Sequence, residues 1–205
     1  MSDLDVYLSK IMPSVPGCPE PTAEHAIILA AQRFCESTRL WRDKDTFSIL
    51  AEDSANTVYA PAGADFFEIE SARFDNRDLE PISLKDLDYR HPGWREWSSG
   101  ARFITQIDHG TVMVVPASAG TLELSTTLRP TEGATQLPDF LAKYYRQAIA
   151  DGALAEILML PGQSFTDPSR AMFFSQRFQL ELDKLGSKSI KGQQRAKARV
   201  RPQFF

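Results

Sequence analysis

With 205 residues, 42% of them hydrophobic and 24% charged, the chain has an ordinary soluble, globular composition, and its length suits one domain with an insertion or two small ones. Residues 1–17 lack the basic start and apolar run of a secretory leader, and no stretch approaches the ~18 apolar residues of a membrane span, so no membrane partner is expected. The net charge of −4 is uneven: from Lys184 onward there are seven Lys/Arg and no acid, against 16 basic and 27 acidic residues before it, so an acidic body carries a basic tail that calls for a protein or nucleic-acid partner.

In chain order, residues 2–12 read as a short helix. Ser2 stands at its cap, Asp5 follows three residues later as in a capping box, and Leu4, Leu8 and Ile11 share a face. Pro13, Pro16, Gly17, Pro19 and Pro21 then predict a stiff extended connector. A second helix is expected from about Thr22 to Trp41, with Ala23, Ala26, Ile27, Ala30, Phe34 and Trp41 at three- and four-residue steps. Cys18 and Cys35 show no metal-ligand spacing and read as reduced thiols.

Between Asp45 and Leu128 the period becomes two. Phe47-Ile49-Ala51, Phe67-Ile69-Ser71, Phe103-Thr105-Ile107, Val112-Val114 and Leu122-Leu124-Thr126 alternate, giving five or six short strands. Asp75-Asn76-Arg77-Asp78 and Asp108-His109-Gly110 read as turns, the second as a hairpin. An acidic, aromatic connector, residues 83–97, crosses between strands; Trp94 and Trp97 in it are expected to anchor it to the sheet.

Residues 137–160 predict the central helix, a single rod begun by Pro138 and Asp139 and closed by Pro161-Gly162. Leu141, Tyr144, Tyr145, Ala148, Gly152, Ala155 and Met159 share one side, and Ala148, Gly152, Ala153 and Ala155 invite a second helix to pack closely, most naturally the alanine-rich second helix. Asp167-Pro168 caps a last helix with Ala171, Phe174, Phe178, Leu182 and Leu185 on one side, and Gly186 is expected to stop it. Residues 187–205 are too polar to order themselves alone, yet they end in two large rings. They read as a peptide that lies along another subunit, with Lys188, Lys191, Arg195, Lys197, Arg199 and Arg201 meeting acidic or backbone acceptors and Phe204 and Phe205 as the plug.

The expected architecture is therefore α+β: a bundle of about four helices (residues 1–44 and 131–186) with an inserted antiparallel β-rich domain (45–130) and an extended basic tail (187–205). No catalytic, cofactor or metal motif stands out. His25, His91 and His109 are scattered and read as solvated or structural, and the pairs Asp86/Asp88 and Glu68/Glu70 fall on solvated faces, so the chain is not read as an enzyme.

Several pieces together resemble one family. Pro16-Gly17-Cys18-Pro19, then Ala30-Ala31-Gln32-Arg33-Phe34-Cys35 ending in Thr38-Arg39-Leu40-Trp41, looks like the opening of the head-to-tail adaptor (connector) proteins of tailed bacteriophages. Val58-Tyr59-Ala60-Pro61, Leu137-Pro138-Asp139, Ile149-Ala150-Asp151-Gly152-Ala153-Leu154, Leu160-Pro161-Gly162, and Asp167-Pro168 with Ala171 and Phe178 follow in the family's order, over about residues 4–185. The departure is Phe165, where a tryptophan is expected.

The resemblance implies a non-catalytic virion protein, made in the host cytoplasm and placed in the neck. Its copies form a ring, typically of twelve, beneath the portal protein, receive the tail tube or nozzle protein, and let genomic DNA pass through the lumen without sequence-specific binding. Lys188, Lys191, Arg195, Lys197, Arg199, Arg201, Phe204 and Phe205 would then dock on the portal. The competing reading uses the same cations for nucleic-acid binding or DNA packaging, which would be steeply salt-dependent.

Overall fold

A computed structural model describes residues 1–50, 56–58, 60–98, 100–106 and 110–189; at Asn56 and at 187–189 it describes the backbone. In chain order the elements are β1 (Ser2–Asp3), α1 (Asp5–Ile11), α2 (Glu20–Thr38), β2 (Arg42–Ile49), β3 (Asn56–Thr57), β4 (Ala64–Phe74), β5 (Arg77–Pro81) and α3 (Leu84–Arg90). There follow β6 (Phe103–Gln106), β7 (Thr111–Val115), β8 (Gly120–Pro130), β9 (Gln136–Leu137), α4 (Asp139–Tyr144), α5 (Arg146–Ile157) and α6 (Pro168–Ser189). The chain divides into a helical unit, Met1–Leu40 with the chain from Pro130 onward, and a β unit, Trp41–Arg129.

In the helical unit, α5 packs against α1, α2 and α6. Every residue from 148 to 154 is buried, which only a run of small side chains around Ile149 and Leu154 permits. A Cβ on Gly152 would stand 3.0 Å from the Ala30 Cβ on α2 and 3.1 Å from the Phe178 ring on α6. The glycine therefore offsets its ~1 kcal/mol helical disadvantage by letting both neighbours close in.

Several sequence expectations are corrected here. The stretch 137–160 is not one rod: Tyr145, at φ −127° and ψ 12°, separates α4 from α5. Its ring lies 5.0 Å from that of Phe34, so aromatic packing overrides local helix preference. Tyr144 and Met159, placed on the buried side from sequence, are exposed. Pro138 precedes α4 as its cap residue, and Ser2 does not cap α1. Ser2 instead belongs to β1, which pairs with β9, and its hydroxyl donates to Asp139 at 2.6 Å, beside the Met1 amino group at 2.9 Å. The proline-rich connector is a 3₁₀ turn at Met12–Ser14, and Pro21 lies within α2. That helix stops at Thr38, where Arg39 turns left-handed (φ 51°), short of Trp41. Gly186 does not end α6, which runs to Ser189, because it keeps out of the positive-φ region a stop requires; it faces the Ser37 carbonyl at the end of α2. Asp167 does cap α6, accepting the Arg170 N–H at 3.0 Å.

The β unit is a curled seven-stranded sheet in the order β2-β8-β4-β5-β6-β7-β3. It is mixed rather than antiparallel: β5 and β6 run parallel, because the acidic, aromatic connector between them contains a crossover helix, α3. Ser83 caps that helix, accepting the Asp86 N–H at 3.1 Å. Asp75 and Asn76 form the two-residue β4–β5 turn with φ 46° and 65°. β6 and β7 pair as an antiparallel hairpin; His109, in the turn expected between them, lies outside the described residues, as do Ala51 and Ile107. One sheet face buries Phe74, Ile104, Val114, Leu122 and Leu124. Against the other, Trp94 and Trp97 pack on Leu87, Phe103, Met113 and Val115, the anchoring expected of them.

Gly152→Leu is expected to destabilise the protein by about 3 kcal/mol, since the added side chain has nowhere to go between Ala30 and Phe178. Urea unfolding of the two proteins measures it, and an unchanged midpoint would contradict this packing.

Candidate assembly surface

Helix α6 has two apolar faces. Ala171, Phe178 and Leu182 recur at seven- and four-residue steps and are buried toward α2 and α5. Phe173 and Leu180, also seven residues apart, lie about half a turn away at ~100° per residue, and they are 55% and 58% exposed. Met172, on the flank, is exposed as well. A solvated helix normally shows a polar outer face; large apolar groups there mark an interaction surface.

Beside this face lies a groove of about 380 Å³ lined by Tyr144, Ala148, Asp151, Arg177, Leu180 and Lys184, among others. Asp151 forms its floor and is 2% exposed. The Gln147 side-chain amide donates to its Oδ1 at 2.9 Å, and an Arg177 guanidinium nitrogen stands 3.1 Å from Oδ2. Burial raises the Asp151 pKa above the usual carboxylate value; the Gln147 amide and the Arg177 charge oppose the rise, and Glu181 adds to it. The same guanidinium lies 5.6 Å from the centre of the Phe173 ring. Arg177 thus ties the buried carboxylate of α5 to the outer face of α6, and fixes both across the groove.

Of the residues expected to meet a partner, Lys188 falls in the last turn of α6. The side chains of Lys188, Lys191, Arg195, Lys197, Arg199, Arg201, Phe204 and Phe205 lie outside the described residues. The outer face of α6 is not among the sequence expectations: the Phe173/Leu180 spacing is present, but the stripe of Phe174 and Phe178 on the same helix overshadows it. His25 is exposed on α2. His91 packs between Trp97 and Phe103 at 5.4 and 5.2 Å. The paired carboxylates have local duties: Asp86 accepts from the Ser83 hydroxyl, Asp88 accepts from the Trp94 indole and pairs with Arg95, and Glu70 pairs with Arg42. Cys18 and Cys35 are buried free thiols, and burial pushes that of Cys35 up to about 12. Among the described residues no helix is long and apolar enough to cross a membrane.

The helical unit thus combines small-residue contacts at its centre with a second apolar face outside. Residues 16–203 match the SU10 adaptor protein family, and the chain belongs to that family of phage head-to-tail adaptors. No curated protein matches the chain.

The raised Asp151 pKa sets a sign for the pH dependence. The folded state holds this proton to higher pH than the unfolded state does, so the group's contribution to stability falls as pH rises from about 4 through the folded pKa. Asp151→Asn removes that dependence. The gap in unfolding free energy, wild type minus variant, is expected to shrink as pH rises through this window in denaturant titrations. A gap that widens with pH would mean the carboxylate is stabilised in its charged form.

Proposed function

We propose that this protein is the head-to-tail adaptor of a tailed phage, forming a closed ring of identical copies, typically twelve, in the virion neck between the portal and the tail tube or nozzle. The observation that carries the proposal is the outer face of α6, where Phe173 and Leu180 stand opposite the buried face of the same helix. Burying such a side chain gains ~1.5–3 kcal/mol, and a second copy is the partner that family membership supplies. A ring contact is heterologous: one patch of each copy meets a different patch of the next, and rotation closes the circle.

In this reading the C-terminal segment docks on the portal. Lys188, Lys191, Arg195, Lys197, Arg199 and Arg201 meet acidic or backbone acceptors there, and Phe204 and Phe205 fill a pocket. The 16 basic and 27 acidic residues before Lys184 suit a lumen that repels DNA phosphates and lets the genome pass without sticking. The function is structural rather than catalytic. The run of seven cations without an acid favours one other reading, a DNA-binding accessory protein.

Co-expression with the portal protein of the same genome, followed by mass determination, separates the two. The full chain is expected to give a ring-sized complex, and a chain ending at Ser189 none. A complex that forms equally without the tail would move the portal joint to the helical unit. No complex, together with salt-sensitive DNA binding, would replace the adaptor by the DNA-binding reading.

A further inference from the structure

The sheet of the β unit is split. β5 lies between β4 and β6, but its ladder with β4 covers Ala72, Arg73 and Phe74 alone. Its parallel ladder with β6 reaches Pro81↔Ile104, with one further bond from the Ile82 N–H to the Ile104 carbonyl at 3.0 Å. There the chain leaves the sheet for α3. β4 extends beyond that point as residues 67–69, and β6 as Thr105 and Gln106. Between them is a cleft of about 430 Å³ lined by Phe67, Ile69, Ile82, Ile104, Thr105 and Gln106, among others. By topology the gap is one strand wide, ~4.8 Å to either side.

Two observations say that something belongs there. Phe67, a large ring at the edge of the cleft, is 39% exposed. The Thr105 hydroxyl, in a residue 2% exposed that lines the cleft, is buried without a hydrogen-bond partner, a state that is costly to leave unmet.

We propose that the cleft takes segment 195–201 of a second copy of this chain as an added strand, continuing the line of β5. The segment reads Arg-Ala-Lys-Ala-Arg-Val-Arg, a strict period of two. As a strand it puts Ala196, Ala198 and Val200 on one face, toward the apolar lining, and four cations on the other. Charge fits as well: the β unit, residues 41–129, contains 15 acidic and 9 basic residues. Small side chains suit an insertion between two strands, where bulk would force the sheet apart. In this arrangement Arg195, Lys197, Arg199 and Arg201 belong to the contact between copies, and the portal contact proposed above narrows to Lys188, Lys191, Phe204 and Phe205. The inference rests on the self-association of that reading for its partner, and its test does not require a ring.

A fluorescent peptide of residues 190–205 stands in for the neighbour's tail and is titrated into the full-length protein, with anisotropy as the readout. Saturable binding is expected. Replacing Ala196, Ala198 and Val200 in the peptide by aspartate is expected to weaken it at least about tenfold, because one face is then wrong along the whole strand. Thr105→Val in the protein, which keeps the side-chain shape, is expected to weaken it about three- to tenfold. No saturation up to millimolar peptide would overturn the proposal. So would binding that tolerates both changes and disappears with added salt, since that is charge attraction without a strand. A ring formed with the portal while the peptide does not bind would sink this inference and leave the adaptor reading standing.

Discussion

The helical unit depends on the contact of α5 with α2 and α6 at Gly152. A methyl group there would press on Ala30 and Phe178 at once, so the close approach of three helices hangs on one missing side chain. Small residues around it bury the helix on all sides. Such tight packing is intolerant of added volume, which gives the unit a fixed shape.

This centre also explains the outer surface. With α5 enclosed, α6 has an inner face set by Ala171, Phe178 and Leu182, and its remaining apolar residues have no place inside. Arg177 links the two environments, holding the buried Asp151 with one side of its guanidinium and lying beside Phe173. Asp151 is buried but the Arg177 side chain is 43% exposed, and a pair open to solvent on one side adds little stability. Its consequence is positional: the side chain that borders the outer face cannot swing freely.

Much of the helical pattern was legible. The steps of α2, the inner stripe of α6 and its Asp167 cap follow from local periodicity and capping chemistry, and the tryptophan anchors from the area such rings bury. The breaks were not. Tyr145 leaves the helix to meet Phe34, a residue more than a hundred positions away, and no local signal carries that. Gly186 has the composition of a stop without the backbone of one. The crossover helix α3 had a signal, Ser83 followed by Asp86 at capping spacing, masked by a segment rich in acids and aromatics. Parallel pairing of β5 and β6 followed from that helix and could not be read from alternation, which is the same for either direction. Nothing in the local sequence marks Asp151 as buried; the Arg177 it pairs with stands 26 positions on in a different helix. The tail's charge and its terminal rings were plain in the sequence, as was the joint order of motifs that the family match supports.

In the proposed ring the outer face of α6 meets another copy of the same chain. A photoreactive benzophenone side chain placed at position 180, in protein assembled with its portal, tests it directly, with the crosslinked partner identified by mass spectrometry of the digest. Crosslinks between α6 of one copy and a different patch of a second copy are the predicted result. Crosslinks to the portal or a tail protein alone, or none in the intact assembly, would contradict the account.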